Sequence, residues 1–235
     1  EVIGFLKHII YINKTLSCGK KVYRGINLML NNKRRGLVLV ISSPSGAGKT
    51  TICKKIIDEI EGVTLSISAT TRKKRKGEID GKDYFFKNLQ EFSEMLKNKE
   101  FIESANVFGH SYGTLKKEVL LKIEKGLDVI VDIDWQGTRQ IEKYLGQDVV
   151  KVFILPPSIK ELEIRLGNRA SEDKENFLKR MSEARKEISH YNEYDFIVIN
   201  NEVEPAFNNV KSILYSERLR RFRQIKLDQA IDNIL

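Results

Sequence analysis

The chain has 235 residues, enough to bury one substantial core with room for an inserted lobe or lid. Hydrophobic residues at 41% and charged residues at 31% describe an ordinary soluble globular protein. The net charge of +9 would suit a nucleic-acid binder, but residues 1–35 hold eight basic side chains against Glu1 alone, which leaves only about +2 for the other 200 residues; no nucleic-acid partner is expected.

That basic stretch, from Lys7 through Arg34 and Arg35, has the character of a transit-like leader. The plainer expectation is that Met29 is the natural start and that the residues before it are upstream sequence. No apolar run approaches the length of a membrane span, so no membrane is expected either. A cytoplasmic location is anticipated, with organellar import through the basic segment as the alternative. Cys18 and Cys53 make neither a disulfide framework nor a metal spacing, and Cys53 falls in a helical stretch where a buried free thiol is the simple reading. The residues do not decide an oligomeric state.

From Gly36 onward, apolar β-rich runs alternate with helical patterns. Leu37 to Ile41 is a continuous apolar run, as a parallel strand covered on both faces requires. A helix is predicted from about Lys49 to Glu61, then a strand from Val63 to Ser68. Residues 69–114 break the alternation: they are polar, rich in Gly, Lys and Tyr, and too long for a plain loop, which predicts an inserted lobe with short strands near Tyr84–Phe86 and Phe101–Glu103. Strands follow at Leu127–Ile133, Val149–Leu155 and Phe196–Ile199. Ser158 and Glu161 form a capping-box pattern for a helix start, and Pro205 suits the first turn of the last helix. The polar residues 167–175 between two helices suit a mobile lid. The sum is a parallel α/β sheet.

Ser43-Pro44-Ser45-Gly46-Ala47-Gly48-Lys49-Thr50-Thr51 follows the first strand and opens the first helix. Glycines there let backbone N–H groups converge on phosphate oxygens, and the helix N-terminus adds partial positive charge. Lys49 can reach the β- and γ-phosphates of ATP, and the Thr50 hydroxyl can ligate Mg²⁺. The strict glycine at the first position of this motif is replaced by Ser43. Asp132, at the carboxyl end of a buried strand and two residues before Asp134, sits where such sheets bind ligands and can hold Mg²⁺ through water. These features predict a P-loop NTPase fold: a central parallel sheet flanked by helices, moving the terminal phosphoryl group of ATP to a small acceptor.

The acceptor segment runs Ser66-Ile67-Ser68-Ala69-Thr70-Thr71-Arg72-Lys73-Lys74-Arg75-Lys76-Gly77-Glu78, then Asp80-Gly81-Lys82-Asp83-Tyr84. It strongly resembles the guanylate kinase family, whose segment reads S-x-S-x-T-T-R-x-P-R-x-G-E-x-x-G-x-x-Y. Phe101-Ile102-Glu103, Tyr112-Gly113-Thr114, Asp132 to Gly137, Pro156-Pro157-Ser158 and Asn200 follow in the family's order. The resemblance implies transfer of the γ-phosphoryl group of ATP to GMP, with Mg²⁺, in one domain over residues 36–235: a core, a GMP-binding lobe at 69–114 and a helical lid at about 165–180. It implies that Arg72, Arg75, Tyr84 and Tyr112 grip the GMP phosphate and that Ser68, Glu103 and Thr114 read the guanine. The implied GMP site also takes in Glu78, Gly113, Asp132 and Asp134. Arg165, Arg169 and Arg180 match lid arginines around the transferring group, and Asn200 matches a residue near the ATP adenine. Lys74 departs from the family's proline, and Trp135 stands where the family varies, with no function attached. A non-catalytic phosphopeptide-binding module of the same fold and a kinase for another monophosphate are the alternatives.

Overall fold

The first strand, β1 (Val38–Ser42), is buried along its whole length, because it is the middle strand of a five-stranded sheet. The computed structural model describes residues 34–107, 109–167, 174–225, 227–232 and 235. The sheet runs in the order β2 (Val63–Leu65), β7 (Asp128–Asp132), β1, β8 (Val149–Leu155), β9 (Phe196–Ile199), and every pairing is parallel. Leu37, Leu39 and Ile41 point to one face, where they meet Ile52 and Ile56 of α1 (Lys49–Glu59) and Phe207, Val210 and Leu214 of the long helix Val203–Arg218. Val38 and Val40 point to the other, against Val119 and Ile123 of the helix Lys116–Glu124 and Ile141 of the helix Trp135–Leu145. An all-apolar strand is the form that burial on both faces dictates.

The remaining elements fall into two groups. A second, four-stranded sheet spans Ser68–Leu115, in the order β4 (Phe85–Phe86), β3 (Ser68–Thr70), β6 (His110–Leu115), β5 (Phe101–Val107). Helix α2 (Leu89–Lys97) is inserted in it, and Asn88 and Glu91 close a reciprocal capping box at its start. Helices α3 (Lys116–Glu124) and α4 (Trp135–Leu145) flank the main sheet. Then α5 (Ile159–Gly167) and α6 (Lys174–Ile188) pack on each other through Leu162, Leu166, Met181 and Ala184, and α7 (Val203–Arg218) ends the main unit, residues 34–223. The described residues beyond it carry a short helix, α8 (Leu227–Asp232).

Three expectations are corrected. The strand predicted over Val63–Ser68 is two strands in different sheets: Ser66 N–H still donates to Ile130 O at 2.9 Å, while Ser68 already pairs with Thr114. Helix α1 stops at Glu59, two residues early, just before Gly62 turns the chain at φ +80°. Arg34 and Arg35, assigned above to the basic extension, belong to the body. Arg34 makes a two-pronged ion pair with Asp128 (2.6 and 2.9 Å), and Arg35 pairs with Asp148 at 2.7 Å. The rest of the basic segment, residues 1–33, and most of the lid stretch, 168–173, lie outside the described residues.

Asp128, fully buried at the start of β7, gathers four donors: both Nη of Arg34, Nε of Arg218 at 2.7 Å and the backbone N–H of Leu37 at 3.1 Å. Truncating a buried acid among cations leaves their charge unmatched, which costs about 3–5 kcal/mol. Asp128→Ala should therefore lower stability by about 3 kcal/mol or more in chemical denaturation, whereas Asp58→Ala on the exposed side of α1 should change it by less than about 0.5 kcal/mol.

Candidate active site

The turn from β1 into α1 is built around two glycines with positive φ, Gly46 at +89° and Gly48 at +94°. Both are also confined. A Cβ at Gly48 would stand 2.3 Å from Nδ2 of Asn200, and one at Gly46 would stand 3.1 Å from Leu162 and Leu166. Asn200, buried at the end of β9, donates Nδ2–H to Ala47 O at 2.7 Å and so braces the turn from beneath. Ser43 adopts no positive φ, which explains why this position tolerates a residue other than glycine.

Three other helix starts are closed by a side chain, and α3 and α7, which lack such a cap, carry an acid in the first turn, Glu118 and Glu204. Asn88 caps α2, Asp134 caps α4 by accepting from Gly137 N–H at 2.9 Å, and Ser158 Oγ accepts from Glu161 N–H at 3.1 Å at the start of α5. Helix α1 has no side-chain cap and no acid in its first turn. Its N–H groups are left for an anion, and the helix dipole favours one there. They open on a cavity of about 320 Å³ whose walls include Ser43–Gly46, Gly48–Thr51, Asp132 and Glu187. The Lys49 ammonium donates to Asp132 Oδ1 across it.

A second cavity, of about 340 Å³, is lined by Ser66, Ser68 and Tyr84 and shares Thr50 and Asp132 with the first. The register of the main sheet explains the sharing: Asp132 is the β7 partner of Ile41, so its carboxylate emerges beside the turn that follows β1. At the lobe end, Arg72 makes a two-pronged pair with Glu78 (2.6 and 3.1 Å) and lies 5.3 Å over the Tyr84 ring, which meets Tyr112 edge-on at 6.0 Å. Glu78 raises the Arg72 pKa, and Arg72 with the Arg75 backbone N–H lowers that of Glu78. The Arg75 side chain is exposed.

Behind Ser68, its strand partner Thr114 is fully buried and donates Oγ1–H to Glu103 Oε1 at 2.7 Å. Glu103 is only 4% exposed, and burial pushes its pKa up; the Thr114 hydrogen bond works against that shift and Asp134 adds to it. Gly137 leaves room for the second oxygen, since a Cβ there would be 3.2 Å from Glu103 Oε2. Packing leaves no room for a side chain at Gly113: a Cβ there would lie 2.6 Å from the Phe101 ring. Cys53 lines the second cavity, but burial holds its thiol at about 12, too high to make it a nucleophile.

Of the three lid arginines, Arg165 is engaged by Glu161 at 2.8 Å and donates to Asn200 O at 3.2 Å, tying α5 to the loop after β9. Arg180 lies half-buried on α6, and Arg169 falls outside the described residues. The sequence reading missed two groups. One is a cluster of buried hydroxyls: Ser42 and Thr138 donate to the Ile133 and Asp134 carbonyls, fixing the loop that carries Asp134, and the Tyr194 hydroxyl stands 3.2 Å from that of Thr138. The other is Glu187, in the last turn of α6. Its only local signal was an acid at a helix end that favours cations.

Thr50 and Asp132 offer hard oxygen donors, and both are exposed to the shared space. Among the described residues no group of three or more His, Cys, Asp or Glu could hold a metal by itself. That donor set fits Mg²⁺, which takes most of its ligands from phosphates and water.

A phosphate-binding helix start that opens, across one threonine and one aspartate, on a second polar cavity defines a phosphate-loop kinase acting on a small acceptor. The chain belongs to the guanylate kinase family, whose model matches residues 34–217. A guanylate kinase of Rhodopseudomonas palustris (strain HaA2) is 50% identical over 196 residues, 83% of this chain and 89% of the relative. One from Bradyrhizobium diazoefficiens is 51% identical over 195 residues, with the same coverage. The crystal structure of guanylate kinase from Anaplasma phagocytophilum aligns with a TM-score of 0.69 at 36% identity, over 85% of this chain and 95% of that one.

Gly48→Ala should cripple the loop, because the methyl group meets Asn200 at a backbone angle that L side chains rarely adopt. Calorimetric titration should show ATP affinity falling by about fivefold or more while GMP affinity is kept, since about one kcal/mol or more of added strain is localised to the loop.

Proposed function

We infer that the chain transfers the γ-phosphoryl group of ATP to GMP, giving ADP and GDP, with ATP in the cavity of the β1–α1 turn and GMP in the cavity of the lobe. The observation that carries this reading is the meeting of the two cavities at Thr50 and Asp132. A phosphoryl group at that junction has donors on one side and an acceptor site on the other, as direct in-line transfer needs. No side-chain nucleophile is required.

Lys49 exchanges its contact with Asp132 for the β- and γ-phosphates. Thr50 and Asp132 would hold Mg²⁺, which would supply positive charge to offset that of the phosphates. Arg72, steadied by Glu78, and Arg75 supply guanidinium forks for the GMP phosphate, helped by the hydroxyls of Tyr84 and Tyr112. Arg165, Arg169 and Arg180 approach from the lid side. Glu103 accepts from guanine N1–H and the 2-amino group, and Ser68 and Thr114 complete the reading. Adenine offers no donor at N1, so AMP leaves a buried carboxylate unmatched.

In a coupled ADP-release assay with ATP, Mg²⁺ and GMP, Lys49→Ala should lose about 10³ or more in kcat with an unchanged melting temperature. Activity near that of the parent protein would remove the phosphate-loop assignment.

Sites built to hydrogen-bond a substrate reject analogues lacking those groups by about 10⁴ to 10⁵. The parent protein should therefore phosphorylate AMP and UMP at most about 10⁻⁴ as well as GMP, and Glu103→Gln should raise KM for GMP while leaving KM for ATP alone. Because burial raises the Glu103 pKa, GMP affinity should be full above that pKa and fall as the pH drops through it, earlier than an exposed carboxylate would predict. Glu103→Gln should flatten that profile, and a variant that retained it would exclude Glu103 as the base reader.

A further inference from the structure

Two carboxylates line the phosphate cavity, Asp132 and Glu187. Asp132 is matched by Lys49. Glu187 is not matched in that way. Its carboxylate shares the cavity wall with Ser45, whose backbone N–H acts to lower its pKa, while its Oε2 is buried without a hydrogen-bond partner among the described residues. Burial and the fields of Asp134 and Glu183 hold its pKa at about 7, with Lys49 acting the other way. Nothing in α6 itself favours an acid at this point, since the last turn of a helix presents unpaired carbonyls.

Ser45 lies inside the phosphate loop, and its N–H is among the donors that such a loop turns towards phosphate oxygens. One N–H cannot serve a carboxylate and a phosphate oxygen at full strength, and two anions held on the same amide repel each other. We propose that Glu187 competes with the phosphates of ATP for the Ser45 amide and thereby sets the enzyme's affinity for ATP. Seating the triphosphate requires the Glu187 carboxylate to leave the loop, so the end of α6 and the nucleotide exclude each other from one donor. Glu187 is then a residue that weakens the ground-state complex rather than one that touches the transferring group. This rests on the assignment of the first cavity to ATP.

The test is calorimetric binding of Mg²⁺–ATP, inorganic tripolyphosphate and GMP to the parent protein, Glu187→Gln and Glu187→Ala. Both variants should bind ATP and tripolyphosphate about tenfold tighter, the worth of one charge-assisted hydrogen bond, with GMP affinity unchanged. KM for ATP should fall in parallel. Glu183→Gln, an exposed acid one turn earlier, should behave as the parent does. Unchanged ATP affinity in both Glu187 variants overturns the proposal. So does weaker binding in Glu187→Ala at an unchanged melting temperature, which would make Glu187 a ligand of the nucleotide. If either variant melts early, Glu187→Asp, one methylene shorter, should still show a smaller gain, and no gain there also overturns it. Lys49→Ala separates the two levels: if it leaves tripolyphosphate binding intact, the assignment of ATP to this cavity is what fails.

Discussion

Backbone N–H groups that all face one point cannot bond to each other, so the turn after β1 has to be held open by its surroundings. Positive φ at Gly46 and Gly48 aims the amides, and both positions are crowded from behind, by Leu162 and Leu166 of α5 and by Asn200 after β9. The brace at Ala47 O comes from a residue 153 positions away in the chain. Placing β1 in the middle of the sheet is what lets Asp132 on one neighbour and the end of β8 on the other stand beside the turn. The parallel order, the uncapped α1 and the position of α5 thus all serve one arrangement of a few amides.

The inserted lobe, by contrast, buries polar groups of its own. Glu103 and Thr114 satisfy one another in a nearly closed sheet interior, which leaves the carboxylate one oxygen short of full hydrogen bonding and ready for donors of the right geometry. Arg72 is handled in the opposite way: Glu78 and two aromatic rings hold it in place near the surface, where its charge is fully retained. The carboxylate's burial is itself unfavourable, whereas the Arg72 fork is aimed by its partners and keeps its charge.

Much of this was legible in the residues. An apolar run ending in a Gly-Lys-Thr turn has few other uses, and Asp132 followed from where parallel sheets bind ligands. The division of Val63–Ser68 between two sheets was not legible, because both halves are equally β-prone and only the long-range partners, Ile130 and Thr114, distinguish them. Arg34 and Arg35 read as part of a basic tail because their acids, Asp128 and Asp148, are about a hundred residues away. Glu187 is the extreme case. Its helix is rich in charges of both signs, and nothing local distinguishes the one carboxylate that reaches the phosphate loop. At Gly113 the close approach of the Phe101 ring, which rules out a side chain, was likewise invisible in the motif.

The cluster at Asp128 joins Arg34, which precedes the first strand, to Arg218, which ends the last long helix. One carboxylate thereby closes the main unit like a clasp, so neither chain end of the unit can peel away without stranding the charge that holds the other. Edges of a domain are ordinarily where amide protons exchange through local fraying. Because one carboxylate holds both, the amides of Arg218's helix and of the β1 entrance should exchange together, with unfolding of the whole unit.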